Sequence, residues 1–197
     1  MKFPVLVLAF VLAGLPLGAH PHEWVDWGVG LVLDEKKPVK VVSARLELTW
    51  DEWYSALVLT DFPDVAKNQL KPADLTLLDT NYGLASPDRA VSLTLLFRGK
   101  PIPVKLVAQN PRWDGKQVTL IYSLALNLEV DSPSELRVEI YDPTYYTDMG
   151  IRSKAGGFFQ GVKDPRAAGS FKFEQDLGHG YYGGSVFPEV VVFSLNP

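Results

Sequence analysis

The chain has 197 residues, 47% of them hydrophobic, a formal net charge of −4 and no cysteine. That length is enough for one domain with a real core, and a mildly acidic balance without a clustered basic face argues against nucleic acid as a partner. Without cysteine there are no disulfides, no lipid-bearing thiol and no thiolate metal site, so any metal must bind through histidine, carboxylate or a backbone nitrogen.

Residues 1–19 have the layout of a signal peptide: Lys2, an apolar run over 4–12, and the small pair Gly18-Ala19 ahead of a polar stretch. The run is interrupted by Gly14 and Pro16 and stops short of the ~20 residues that span a bilayer. The expectation is a periplasmic or secreted chain, a single β-rich domain over 20–197 with no transmembrane segment, opening on His20-Pro21-His22.

Residues 24–33 alternate, with Val25, Trp27, Val29, Leu31 and Leu33 on one face, and predict a strand. Turn chemistry at 34–38 leads into a second strand over 39–50 with Val42, Ala44, Leu46, Leu48 and Trp50 inward, completing a hairpin. Thr49 and Glu52 have capping-box spacing, so a short helix is predicted from there to Pro63, with further helical stretches over 64–70 and from Pro72 through Leu78. Strands are predicted over 90–97, 102–109, 117–126 and 135–141, then a long loop, 144–186, rich in Gly, Tyr and charge, and a last strand over 187–195. The expected fold is mainly β: an antiparallel, Ig-like β-sandwich with one to three short helices inserted after the first hairpin.

After cleavage at Ala19, His20 offers an α-amine beside its own imidazole, two nitrogen donors suited to copper, nickel, cobalt or zinc. Pro21 has no N–H and so forbids the square-planar amide chelate, while His22, ~6.6 Å further along an extended chain, can turn toward the same ion. The bland alternative is two frayed polar residues at a processed terminus. His179, the third histidine, lies between Gly178 and Gly180 and is either an exposed loop residue or a further ligand from the long loop. Asp142 continues the inward parity of Leu136, Val138 and Ile140, and needs either N–H donors in the following turn or a cation. Asp51 and Glu52 are explained by helix capping alone. Trp24, Trp27, Trp50 and Trp53 with Tyr145 and Tyr146 are first of all core, and otherwise a platform for sugars. Nucleophile elbow, phosphate loop and HExxH are all missing, which leaves hydrolase and nucleotide readings unsupported.

Three segments, His20-Pro21-His22-Glu23-Trp24-Val25-Asp26, Leu48-Thr49-Trp50-Asp51-Glu52-Trp53-Tyr54-Ser55 and Tyr141-Asp142-Pro143-Thr144-Tyr145-Tyr146, together resemble the DUF1007 family of bacterial exported proteins. The resemblance implies metal handling in the cell envelope beside a transport system, with His20 and His22 as the motif positions best suited to ligation and Asp142 as a further participant. The expected function is therefore non-enzymatic: an exported protein that captures or delivers a divalent transition ion (Cu, Ni, Co or Zn) for an envelope metal transporter, through His20 and His22, with His179 and Asp142 as additional ligands. The rivals are a carbohydrate- or protein-binding β-sandwich and a copper histidine-brace oxidoreductase.

Overall fold

The computed structural model describes residues 21–87, 90–152 and 158–197; His20 and the leader lie outside them. The first hairpin forms as the alternation predicts, β1 (Glu23–Asp34) pairing antiparallel with β2 (Val39–Trp50). All five β1 residues assigned inward are buried. In β2 the inward set starts differently: Val41 is buried and Val42 is 45% exposed. In the ladder to β1, Leu33 pairs with Val41 and Val32 with Ser43, so Val42 is an extra residue that flips the side-chain parity before it; the register to β6 (Val118–Val130) shifts at the same point.

Helix α1 (Glu52–Asp61) is capped by Asp51, whose Oδ1 accepts from Tyr54 N at 2.8 Å. Thr49 is not the cap. It remains in β2 and its hydroxyl bonds that of Thr119 at 2.8 Å, so the helix starts two residues later than the capping-box spacing suggested. The stretch 64–70 reduces to a 3-10 turn, Pro63–Val65, while α2 (Pro72–Tyr82) runs a full turn past Leu78. The Tyr82 hydroxyl donates to Asp61, tying α2 to α1, and its pKa is pushed up to about 12 by burial and then by that carboxylate.

The remaining strands are β3 (Ser92–Phe97), β4 (Lys100–Pro101), β5 (Lys105–Trp113), β7 (Ser134–Tyr141), β8 (Thr147–Ile151), β9 (Phe158–Gln160), β10 (Gly169–Gln175) and β11 (Glu189–Leu195), with a four-residue helix α3 (Pro165–Ala168) before β10. One sheet runs β5-β6-β2-β1-β8 with β9 also on β1; the other runs β10-β11-β7-β3-β4. The protein is mainly β, two antiparallel-rich sheets in a sandwich-like arrangement, with Trp27, Trp50, Tyr122 and Phe193 among its largest fully buried side chains. Two departures from expectation bear on function. The segment 144–186, read as a loop, contains β8, β9, α3 and β10; and β8 and β9 pair with β1 in parallel, which breaks the all-antiparallel pattern. Short strands that complete a distant partner carry too few residues to show a period of their own. No helix among the described residues is long and apolar enough to cross a membrane.

Candidate functional site

Strand β7 lies between β11 and β3, so both its edges are paired and its parity is fixed. Leu136, Val138 and Ile140 face the core, which puts Arg137, Glu139 and Tyr141 on the outer surface of that sheet. There they are covered by the connection after β10. Arg137 bridges Glu174 at 3.3 Å and Asp176 at 3.2 Å. Asp176 then turns the chain by accepting from Gly178 N at 3.0 Å through Oδ1 and from His179 N at 3.1 Å through its carbonyl. This turn brings the His179 ring over β7.

The ring is held at both nitrogens, Nδ1 at 2.9 Å from Glu139 Oε1 and Nε2 at 2.8 Å from the Tyr141 hydroxyl. An ionised Glu139 can only accept, so Nδ1 carries the proton toward it and Nε2 accepts from Tyr141. Glu139 is only 5% exposed, and burial raises its carboxyl above the ordinary value against the opposing pull of His179 and Arg137. Ligand atoms of Glu139, Asp176 and His179 lie within 4.8 Å of one another. A cavity of about 110 Å³ opens beside them, lined also by Thr94 and Leu96. Two carboxylates and one imidazole form a borderline donor set of the kind that holds zinc, nickel or cobalt.

A raised carboxyl means that the folded state binds its proton more tightly than the unfolded chain. The stability this lends is complete below the unfolded carboxylate value and is lost as pH rises through the folded one. A Glu139→Gln variant should therefore gain on the wild type in urea unfolding as pH goes from mildly acidic to neutral. A difference that stays constant with pH would mean that burial does not act on this group as described.

Of the sequence-predicted ligands, His20 lies outside the described residues. His22 is exposed, its backbone N donating to Tyr146 O at 2.8 Å and its ring stacked on Tyr146 at 4.8 Å. Asp142 is buried and takes the first of its two expected partners: Oδ1 accepts from Thr144 N at 2.8 Å and Thr144 Oγ1 at 2.6 Å, and Oδ2 from Thr147 N at 3.1 Å. Among the described residues, the one group of three or more histidines and carboxylates with clustered ligand atoms contains His179 but neither His22 nor Asp142. Glu139 and Asp176 were missed, although β7 parity alone sets Glu139 outward beside Tyr141. Of the tryptophans, Trp27 and Trp50 are core, whereas Trp24 and Trp53 are 53% and 70% exposed.

The family described as protein of unknown function (DUF1007) matches residues 5–165, most of the chain and all three quoted segments. The chain belongs to the DUF1007 family. A relative within reach is an uncharacterized 15.5 kDa protein from the trpE 3′ region of Spirochaeta aurantia, 33% identical over 97 residues, or 49% of this chain. The match covers 66% of that protein, just under two thirds of its length. The DUF1007 match ends before Asp176 and His179, so it covers Glu139 and Tyr141 but not the residues that close over them.

Proposed function

We propose that this DUF1007 protein is an exported, periplasmic or secreted metal-binding protein that captures or delivers a divalent transition ion as an accessory of an envelope transporter. The observation that supports this reading is the convergence of Glu139, Asp176 and His179 on one small, solvent-connected cavity. Metal entry would replace the Glu139–His179 hydrogen bond with two bonds to the ion and free the proton on Nδ1. Arg137, already paired to Asp176, would fix the orientation of that carboxylate from behind. Because the carboxylates must be ionised and the imidazole neutral, affinity is expected to fall with pH, giving a release mechanism that needs no other input. His20 and His22 are the second donor set in this proposal, one that hands the ion on from the terminus.

Protein secreted with its native leader should be titrated calorimetrically with Zn²⁺, Ni²⁺, Co²⁺ and Cu²⁺, with metal content measured before and after acid. One ion per chain is expected, weakened by about tenfold or more in His179→Ala and Asp176→Asn but not in a His20→Ala/His22→Ala double variant. The opposite pattern would move the site to the terminus, and no binding of any of the four ions would overturn the reading. Exposure of Trp24 and Trp53 favours one rival, a partner- or carbohydrate-binding face; that predicts binding that survives chelator and is lost in Trp53→Ala.

A further inference from the structure

A sheet edge is a row of unpaired backbone N–H and C=O groups, and folds blunt it with short strands, proline or bulges because it otherwise pairs with another chain. Three of the four sheet ends in this fold are blunted in that way. β4 has two residues and carries Pro101, β5 carries Pro111 and a register shift between Gln109 and Arg112, and β8 and β9 have five and three residues. β10 is the exception. Its seven residues contain no proline and keep an unbroken register with β11 on one side, while on the other side no strand pairs with it among the described residues.

The side chains of β10 are as open as its backbone. Phe171 and Phe173 are the in-register neighbours of Phe193 and Val191, both fully buried, so they continue the core face of their sheet past its last covered strand. The two rings lie 5.8 Å apart and Phe171 lies 6.2 Å from Phe193, yet Phe171 is 41% and Phe173 44% exposed. A cavity of about 410 Å³ opens at the Gly169 end of the strand, with Phe158, Phe159, Pro165 and Phe171 in its lining. On the opposite face Lys172 meets Glu174 at 2.5 Å, so the strand's lysine is already neutralised and does not repel an incoming strand.

We propose that β10 is a self-association edge, through which two copies of the chain pair antiparallel about a two-fold axis and join their sheets into one. A two-fold axis keeps each side chain on its own face, so only a few registers are open. With Phe173 opposite the partner's Phe173, Lys172 falls opposite the partner's Glu174 and Glu174 opposite the partner's Lys172. Aromatic then meets aromatic on the core face and opposite charges meet on the other. Centring on Lys172 or on Glu174 instead sets like charges against each other, and centring on Phe171 leaves Phe173 opposite the partner's Gly169. The favoured register also carries the partner's exposed Leu177 toward the Gly169 end, where the cavity opens. A strand of another protein would have to bring this same alternation of aromatic and charged residues, whereas a second copy brings it by symmetry. None of Glu139, Asp176 and His179 belongs to β10, so the pairing does not rest on the metal reading.

The test is sedimentation velocity of the full mature chain without added metal, from about 10 µM to about 1 mM, where a monomer–dimer equilibrium is expected. Lys172→Glu and Glu174→Lys should each weaken the dimer by about tenfold or more, because each sets like charges across the pair twice. An equimolar mixture of the two variants should restore it, since only the mixed pair has opposite charges at both positions. Restoration reads the register itself, which a merely destabilised fold would not give. The chain has no cysteine, so Phe173→Cys introduces a single thiol. It should oxidise to a disulfide-linked dimer much faster than Phe171→Cys, because only position 173 meets itself. A chain that stays monomeric throughout that range, leaving the edge to a strand of another protein, overturns the proposal. So does a dimer that Lys172→Glu leaves intact or that the mixture fails to restore, and so does equal cross-linking at 171 and 173.

Discussion

Replacing Asp142 with alanine should cost the fold about 3 kcal/mol and leave metal stoichiometry untouched. The carboxylate receives three donors within the turn after β7, and one of them, the Thr147 N–H, belongs to a residue with no exposed surface. Alanine would strand that buried N–H and untie the turn by which the chain passes from β7 in one sheet to β8 in the other. Asparagine should fall between the two, since it keeps one acceptor oxygen but sets an NH2 group against a donor. Urea unfolding checks the stability and metal analysis checks the stoichiometry. A variant that unfolds normally but loses its ion would make Asp142 a ligand after all.

Gly169→Ala is expected to destabilise by about 3 to 5 kcal/mol, because two penalties coincide there. Gly169 has φ of 149°, outside the range comfortable for a side chain, and a Cβ at this position would run into the carbonyl oxygen of Ser194. That obstacle is main chain in β11, in the ladder that pairs Gly169 with Leu195, and it cannot swing aside as a side chain can. Thermal unfolding of the variant should show the loss. At Gly30 the atoms nearest to an added methyl belong to the Phe158 ring, a side chain that can move, so Gly30→Ala should cost less; equal losses would mean that the Ser194 backbone yields more easily than its ladder implies.

Much of the sandwich was legible in residue parity. The alternation over 24–33 and the turn at 34–38 place the first hairpin, and Leu136, Val138 and Ile140 identify the inner face of β7. What parity could not show was where it slips: the bulge at Val41 to Ser43 reverses the assignment of Val42, and nothing local in Lys40-Val41-Val42-Ser43 announces it. The short strands β8 and β9 were hidden for a different reason. Their stability comes from pairing with β1, and at five and three residues they are too short to show a period within a segment heavy in Gly, Tyr and charge. The site was half legible: His179 was named as a ligand, and Glu139 was available from parity, but Asp176 reaches them only through the turn at Gly178, which the sequence marks as flexible without giving its direction. The aromatic segment 141–146 was noticed as a motif, yet its pairing with Tyr181 and Tyr182 is a tertiary fact.

The parallel placement of β8 against β1 has a consequence for the order in which the protein assembles. Glu23 and Thr147, which meet in the first pair of that ladder and share a buried side-chain hydrogen bond, are 124 residues apart. The β1–β2 hairpin and its β6 neighbour can pair from local and mid-range segments, but one edge of β1 stays open until the last third of the chain arrives. Closing so long a loop is slow. Asp176 and His179 lie beyond that point, so the proposed metal site comes into being only in the final stage of folding. A chain truncated before residue 147 would keep Glu139 but neither Asp176 nor His179, so metal binding at this cavity would report on completed molecules alone.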